Sequence, residues 1–120
     1  LKPSMVTPGT LSEKVAIREV AEMTVRCLKE NIPSDLSGVA FLSGGQTELE
    51  ATAHLNEMNK IGGFPWKLSF SYGRALQQSA LKAWSGQSEN IFIAQDELSH
   101  RAEMNKLAAL GQWDIKLEDR

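Results

Sequence analysis

With 120 residues the chain is long enough for one small domain, and a hydrophobic content of 42% is ordinary for a globular one. A net charge of −2 offers no basic stripe for general nucleic-acid binding, and no apolar run approaches the roughly 18 residues that span a bilayer. Cys27 is the single cysteine, so no internal disulfide or cysteine-rich metal cage can form, and a reducing, intracellular setting is expected.

Taken in chain order, the segment opening at Leu1 reads as a strand already under way, the pattern of a processed product or an excised piece, and a piece of a longer protein is the expectation. Residues 4–13 read as a loop, with Pro8-Gly9 as a turn signal and Ser12 as a helix cap. A helix is predicted over 14–31, its apolar stripe made of Ala16, Val20, Met23 and Cys27, with Cys27 a small buried hydrophobe. Pro33 stops it. The continuous apolar run over 38–42 has the pattern of a strand buried on both faces. Residues 46–61 return to helical spacing with Ala51, Leu55 and Met58 on one side. Gly62-Gly63 and Pro65 punctuate, and 66–72 reads as a third strand. A helix over 73–84 aligns Leu76, Ala80, Ala83 and Trp84; Gly86 breaks it. The last helix, over 88–110, aligns Ile91, Ala94, Leu98 and Ala102.

The order is βα-βα-βα with an additional helix, an α/β pattern that implies a parallel sheet. In such sheets chemistry gathers beyond the carboxyl ends of the strands. Three motifs fall at those ends. Lys2 follows the opening strand. A buried, neutral lysine amine attacks carbonyls, although a solvated terminal lysine is the ordinary reading of its position alone. Ser43-Gly44-Gly45 lies between strand and helix, where glycines let backbone N–H groups approach an anion; most such triplets are plain turns. Gly73-Arg74 repeats the arrangement, and the planar guanidinium of Arg74 suits two phosphate oxygens, or equally water or a carboxylate. His54 and His100 read as surface or boundary residues, and Glu48-Leu49-Glu50 as charge suited to a helix amino end. Trp66, Trp84 and Trp113 read as core and edge packing, and Ser71 and Tyr72 as packing and positioning groups.

The segment Lys2-Pro3-Ser4-Met5-Val6 resembles the one that carries the Schiff-base lysine in class I fructose-bisphosphate aldolases. Similarity continues through Phe41-Leu42-Ser43-Gly44-Gly45-Gln46, Ala51-Thr52-Ala53-His54-Leu55-Asn56, Phe70-Ser71-Tyr72-Gly73-Arg74 and Ala80-Leu81-Lys82-Ala83-Trp84, reaching about Trp113. The resemblance implies the last three βα units of a (β/α)8 TIM barrel plus an extra carboxy-terminal helix. Residues 1–120 would then be the carboxy-terminal part of a single barrel whose upstream strands are absent. It implies that Lys2 is the covalent nucleophile and that Leu42, Ser43, Gly44, Gly73 and Arg74 surround the phosphate of the ketose.

The implied reaction is reversible cleavage of fructose 1,6-bisphosphate to dihydroxyacetone phosphate and glyceraldehyde 3-phosphate, with no metal and no organic cofactor. The general acid and base carboxylates of the family lie upstream of this chain. The partners implied are a sugar phosphate and further copies of the chain, as a cytoplasmic homotetramer, with no nucleic acid and no membrane. The competing expectations are a non-catalytic phosphate-binding or assembly fragment, and a Schiff-base aldolase for another phosphosugar such as fructose 1-phosphate. Three βα units cannot close a barrel, so the isolated segment is expected to expose sheet edges and to be inactive.

Overall fold

Helix α1 begins at Ile17, three residues later than its spacing suggests. In the computed structural model, which describes residues 1–120, α1 covers Ile17–Asn31, preceded by Ala16 in extended backbone with no side-chain cap. Ser12, the expected cap, instead closes a turn through its N–H on the Gly9 carbonyl. The buried side is also rotated. Val20, Ala21, Thr24, Val25 and Leu28 face inward, whereas Ala16, Met23 and Cys27 are exposed. Cys27 is therefore not the buried hydrophobe its neighbours suggest. The misreading turns on Thr24, a polar residue that becomes core once its hydroxyl is satisfied. It donates to the Val20 carbonyl at 2.7 Å and accepts the Val6 N–H at 2.9 Å. That second bond ties the loop after Lys2 to the helix layer.

Strands β1 (Gly38–Phe41) and β2 (Lys67–Phe70) pair in parallel, Val39 opposite Leu68 and Phe41 opposite Phe70. The opening segment is not a regular strand, yet it follows the free edge of β1. The Leu1 amine donates to the Gly38 carbonyl at 3.3 Å, and the carbonyls of Leu1 and Pro3 accept from Ala40 and Leu42 at 2.8 and 3.0 Å. This is the bonding of a parallel neighbour with one rung missing, because Pro3 has no N–H to give. The three expected strands thus appear as two strands and a strand-like edge.

Alternation sorts the side chains into two faces. Val39, Phe41 and Leu68 are buried beneath the helices. Lys2, Ala40, Leu42, Ser69 and Ser71 take the opposite face, and none of them joins the core. The short strands keep to 38–41 and 67–70, so Trp66 lies outside β2. Its buried indole donates to the Pro33 carbonyl at 2.8 Å and stacks on Phe64.

Helix α2 (Glu48–Ile61) has the clearest local code. Thr47 accepts from the Glu50 N–H while the Glu50 carboxylate accepts from the Thr47 N–H, a reciprocal cap that sets the start two residues after the predicted one. Ala51, Leu55 and Met58 are fully buried, as their spacing predicts. Each large side chain among them contributes about 1.5–3 kcal/mol by leaving water.

Helix α3 (Arg74–Trp84) buries only Ala75, and Trp84 is 43% exposed rather than packed. A single 3₁₀ turn (Ser88–Asn90) precedes α4 (Ile91–Ala109). The predicted stripe on α4 is overturned: Ile91 and Leu98 are exposed, and the buried face is Arg101, Met104, Asn105 and Ala108. Only the second half of α4 contributes to the core, and the apolar first turn finds no cover within the chain. Phe92 is 82% exposed.

Two close approaches complete the layer. Asn59 donates from one amide nitrogen toward the carbonyls of Leu55, Leu68 and Ala108, joining α2, β2 and α4. Gly111 ends α4 at φ 68°, where an added Cβ would lie 3.2 Å from the Asn59 backbone. A side chain there would strain the backbone and press on Asn59, which would have to give by a few tenths of an ångström.

Candidate active site

Lys2 is held by its neighbours rather than by its own side chain. Leu1 and Pro3 bond to β1, Met5 is buried in the core, and the Val6 N–H reaches Thr24. The bonding register sets Lys2 level with Ala40 and Ser69 on the face away from the helices. Its ammonium is exposed and pairs with no carboxylate of this chain.

The chain leaves β1 through Leu42 into Ser43-Gly44-Gly45-Gln46, a turn closed by the Gln46 N–H on the Ser43 carbonyl at 3.1 Å. Gly44 sits at φ 58°, a conformation glycine adopts without cost, with the half-buried Leu42 side chain beside it. Ser43 is buried, and the N–H groups of Gly44 and Gly45 make no hydrogen bond within the chain. After β2, Gly73 precedes α3, whose first residue is Arg74. The N–H groups of both residues are likewise free, and the Arg74 side chain is exposed and outside every ion pair. Because the opening segment, β1 and β2 are parallel neighbours, Lys2 and both turns belong to the carboxyl-end side of one sheet. Leu42, Ser43, Gly44, Gly73 and Arg74 are all on that side.

Tyr72 follows the packing role expected of it. Its hydroxyl donates to the Ala51 carbonyl at 2.9 Å, its ring meets Phe70, and burial raises the phenol far above its ordinary value. Ser71 is exposed beside it.

Two clusters escape a reading of the sequence. His54, read as a surface or boundary residue, is buried at 5% exposure, with Nδ1 2.6 Å from Gln46 Oε1. It borders a cavity of about 410 Å³ between the 7–15 loop and the start of α2, whose lining includes the Lys14–Glu50 ion pair. Burial pushes the imidazole below its ordinary 6.5, with Glu50 pulling weakly the other way. A lowered histidine favours the neutral form in the fold, so stability is full above about pH 6.5 and declines as pH falls through the folded value. Thermal melts from pH 8 to 5 are expected to show this decline, and His54→Asn is expected to flatten it.

The second cluster is Arg101. It binds both carboxylate oxygens of Glu118 at 2.9 and 2.8 Å and Thr52 Oγ1 at 3.2 Å. Glu48 is 3.7 Å away and itself accepts from Ser79, so its role exceeds the helix-end charge expected of it. The available signal was the i, i+4 pair of Arg101 and Asn105 on one helical face, with Ala108 following. Nothing local announced His54, whose partner lies across the helix cap.

The chain is a mixed α/β unit built on parallel strands, with a lysine and two glycine-opened turns on one edge. It belongs to the class I fructose-bisphosphate aldolase family, whose glycolytic family model matches residues 1–120. It is 56% identical over 115 residues to the probable fructose-bisphosphate aldolase class 1 of Xylella fastidiosa (strain 9a5c), covering 94% of this chain and 34% of that protein. It is 58% identical over 114 residues to the cytoplasmic isozyme of Cicer arietinum, covering 94% and 32%. The co-crystal structure of Plasmodium falciparum fructose-bisphosphate aldolase with TRAP and a small-molecule inhibitor matches with a TM-score of 0.90 at 48% identity, covering 94% of this chain and 33% of that one. The chain thus spans about a third of the length of the relatives it matches. No helix is long and apolar enough to cross a membrane.

Proposed function

We propose that this chain is the carboxy-terminal part of a cytoplasmic Schiff-base aldolase that reversibly cleaves fructose 1,6-bisphosphate. Residues 1–120 form the last three βα units of its (β/α)8 barrel and the extra helix. The apolar groups left bare on α3 and α4, among them Leu81, Trp84, Phe92 and Ile93, support burial against the rest of the barrel. Assembly as a homotetramer belongs to the same proposal and is checked by native mass.

Lys2 attacks the C2 ketone as the free amine. The carbinolamine loses water, and the iminium that results draws electrons from the C3–C4 bond as it breaks. Glyceraldehyde 3-phosphate departs, and the remaining enamine is protonated at C3. Water then releases dihydroxyacetone phosphate and restores the amine. Carboxylates from the upstream strands move the protons of the C4 hydroxyl and of C3.

Throughout, the ketose phosphate rests on the N–H groups of Ser43, Gly44, Gly73 and Arg74, the Ser43 hydroxyl and the Arg74 guanidinium, with Leu42 against the chain of the sugar. The observation that carries this reading is the register. Lys2 is level with Ala40, three residues before Ser43, or about 10 Å along the strand direction. A lysine stem and a phosphate ester together bridge that length.

In the full-length enzyme, Arg74→Ala is expected to raise KM for fructose 1,6-bisphosphate by about 10- to 100-fold, the effect of one lost charge-assisted contact. Arg74→Lys restores only part, because an ammonium cannot reproduce the two-pronged contact. Unchanged KM and unchanged inhibition by inorganic phosphate in Arg74→Ala would remove the guanidinium from the site.

A further inference from the structure

The turn proposed to hold the phosphate contains two consecutive glycines, Gly44 and Gly45, with no side chain to steady them. Flexible donors are poor ones, since an anion site works when its N–H groups are already aimed. Something must hold the turn. Gln46 is the first residue after the glycines that can do so, and it is gripped at three points. Its backbone N–H closes the turn on the Ser43 carbonyl at 3.1 Å. Its side-chain oxygen lies 2.6 Å from Nδ1 of the buried His54, one turn and a half into α2. Its side-chain nitrogen lies 3.5 Å from the sulfur of Met5, a core residue three positions after Lys2. The amide therefore joins the glycine turn, helix α2 and the lysine-bearing segment.

Resting on the reading above, we propose that Gln46, locked by His54, is a positioning residue that fixes the phosphate turn relative to the segment carrying Lys2. The polarity of the lock is defined. Gln46 Oε1 accepts, so Nδ1 of His54 carries the proton and donates. The remaining ring nitrogen makes no hydrogen bond within the chain, and His54 borders the cavity between the 7–15 loop and α2. The imidazole serves as a donor wedged in the core, and any side chain placing an N–H at the same point can replace it. Asparagine does so, because its amide nitrogen branches from the same γ carbon as Nδ1.

The test uses the full-length enzyme and four variants: Gln46→Leu, His54→Leu, His54→Asn and Arg74→Ala. The readouts are kcat and KM for fructose 1,6-bisphosphate, the competitive inhibition constant of inorganic phosphate, and the thermal midpoint. Gln46→Leu is expected to raise KM and the phosphate constant about fivefold, the weight of one net hydrogen bond, with kcat within about twofold. His54→Leu is expected to match it, and His54→Asn to stay near the wild type.

A lowered thermal midpoint with an unchanged phosphate constant in Gln46→Leu would overturn the proposal and leave a structural contact only. Should His54→Leu fail to fold, Gln46 lies in a half-buried turn and its variant decides alone. If Arg74→Ala weakens phosphate binding and Gln46→Leu does not, this inference fails while the site stands. If neither variant moves the phosphate constant, the proposed site fails and this inference with it.

Discussion

Replacing Lys2 with methionine in the full-length enzyme is expected to lower kcat at least about 10⁴-fold, because the proposed covalent route would disappear while the pocket remains. Methionine keeps the length of the stem, with sulfur in place of one methylene, and lacks the amine. The two turns proposed to hold phosphate are untouched, so inorganic phosphate is expected to bind the variant as it binds the wild type. Lys2→Arg is expected to be as inactive, since a guanidinium stays protonated and cannot add to a ketone. Borohydride reduction in the presence of dihydroxyacetone phosphate gives the direct check. Peptide mass mapping should find the reduced adduct on Lys2 and none in Lys2→Met. An adduct on a different lysine, or turnover surviving in the variant, would sink the assignment of Lys2 as nucleophile.

The largest effect on stability is expected at Arg101, far from that chemistry. Arg101 is 5% exposed and lies between Glu118, Glu48 and Thr52, so it joins α4 to α2 and to the 3₁₀ turn of the tail (Ile115–Glu118). Trp113 and His100 also bond the Glu118 carboxylate, at 2.8 and 3.1 Å. Arg101→Leu leaves a shorter apolar side chain in the buried site and strands two carboxylates without their cation. Breaking one partner of a buried pair typically costs about 3–5 kcal/mol, and urea denaturation should read a loss of that size. A loss below about 1 kcal/mol would show the cluster to be a loosely solvated surface pair.

The acid response follows from the same cluster. Burial alone would raise the Glu118 carboxyl, but hydrogen bonds from Arg101, Trp113 and His100 outweigh it and hold the group below its ordinary 4.5. A lowered carboxyl stabilises the fold above about pH 4.5, and this contribution is lost as pH falls through the folded value. Arg101→Leu is therefore expected to start less stable and to lose less on acidification through that range.

What the chain states openly and what it conceals separate cleanly along particular elements. Helix α2 was legible because Ala51, Leu55 and Met58 recur on one face, although the Thr47–Glu50 cap that sets its start went unread and the predicted start fell two residues early. Helices α1 and α4 were legible as helices, but their faces were not. On α1 the core face includes Thr24, admitted only because Val6, 18 residues away, supplies an N–H to its hydroxyl. On α4 the apolar first turn is bare while Arg101 and Asn105 are buried, because Glu118 and Thr52 meet them there.

The candidate site divides in the same way. Lys2, the glycine turn after β1 and Gly73-Arg74 stand out as residue types at strand ends, and the resemblance to aldolases attaches chemistry to them. Periodicity said nothing of Gln46 and His54, whose contact joins a turn to a helix core.

The sequence by itself determined the order of strands and helices, the positions of the turns and the membership of the aldolase family. The first two depend on residue identities within a few positions of one another, and the third on short motifs whose order along the chain is itself sequence information. The tertiary structure alone decided which faces are buried, that Lys2 shares a face with Ala40 and Ser69, and how buried charges are satisfied. Those outcomes depend on partners tens of residues apart, and burying a polar group becomes favourable only when such a partner arrives.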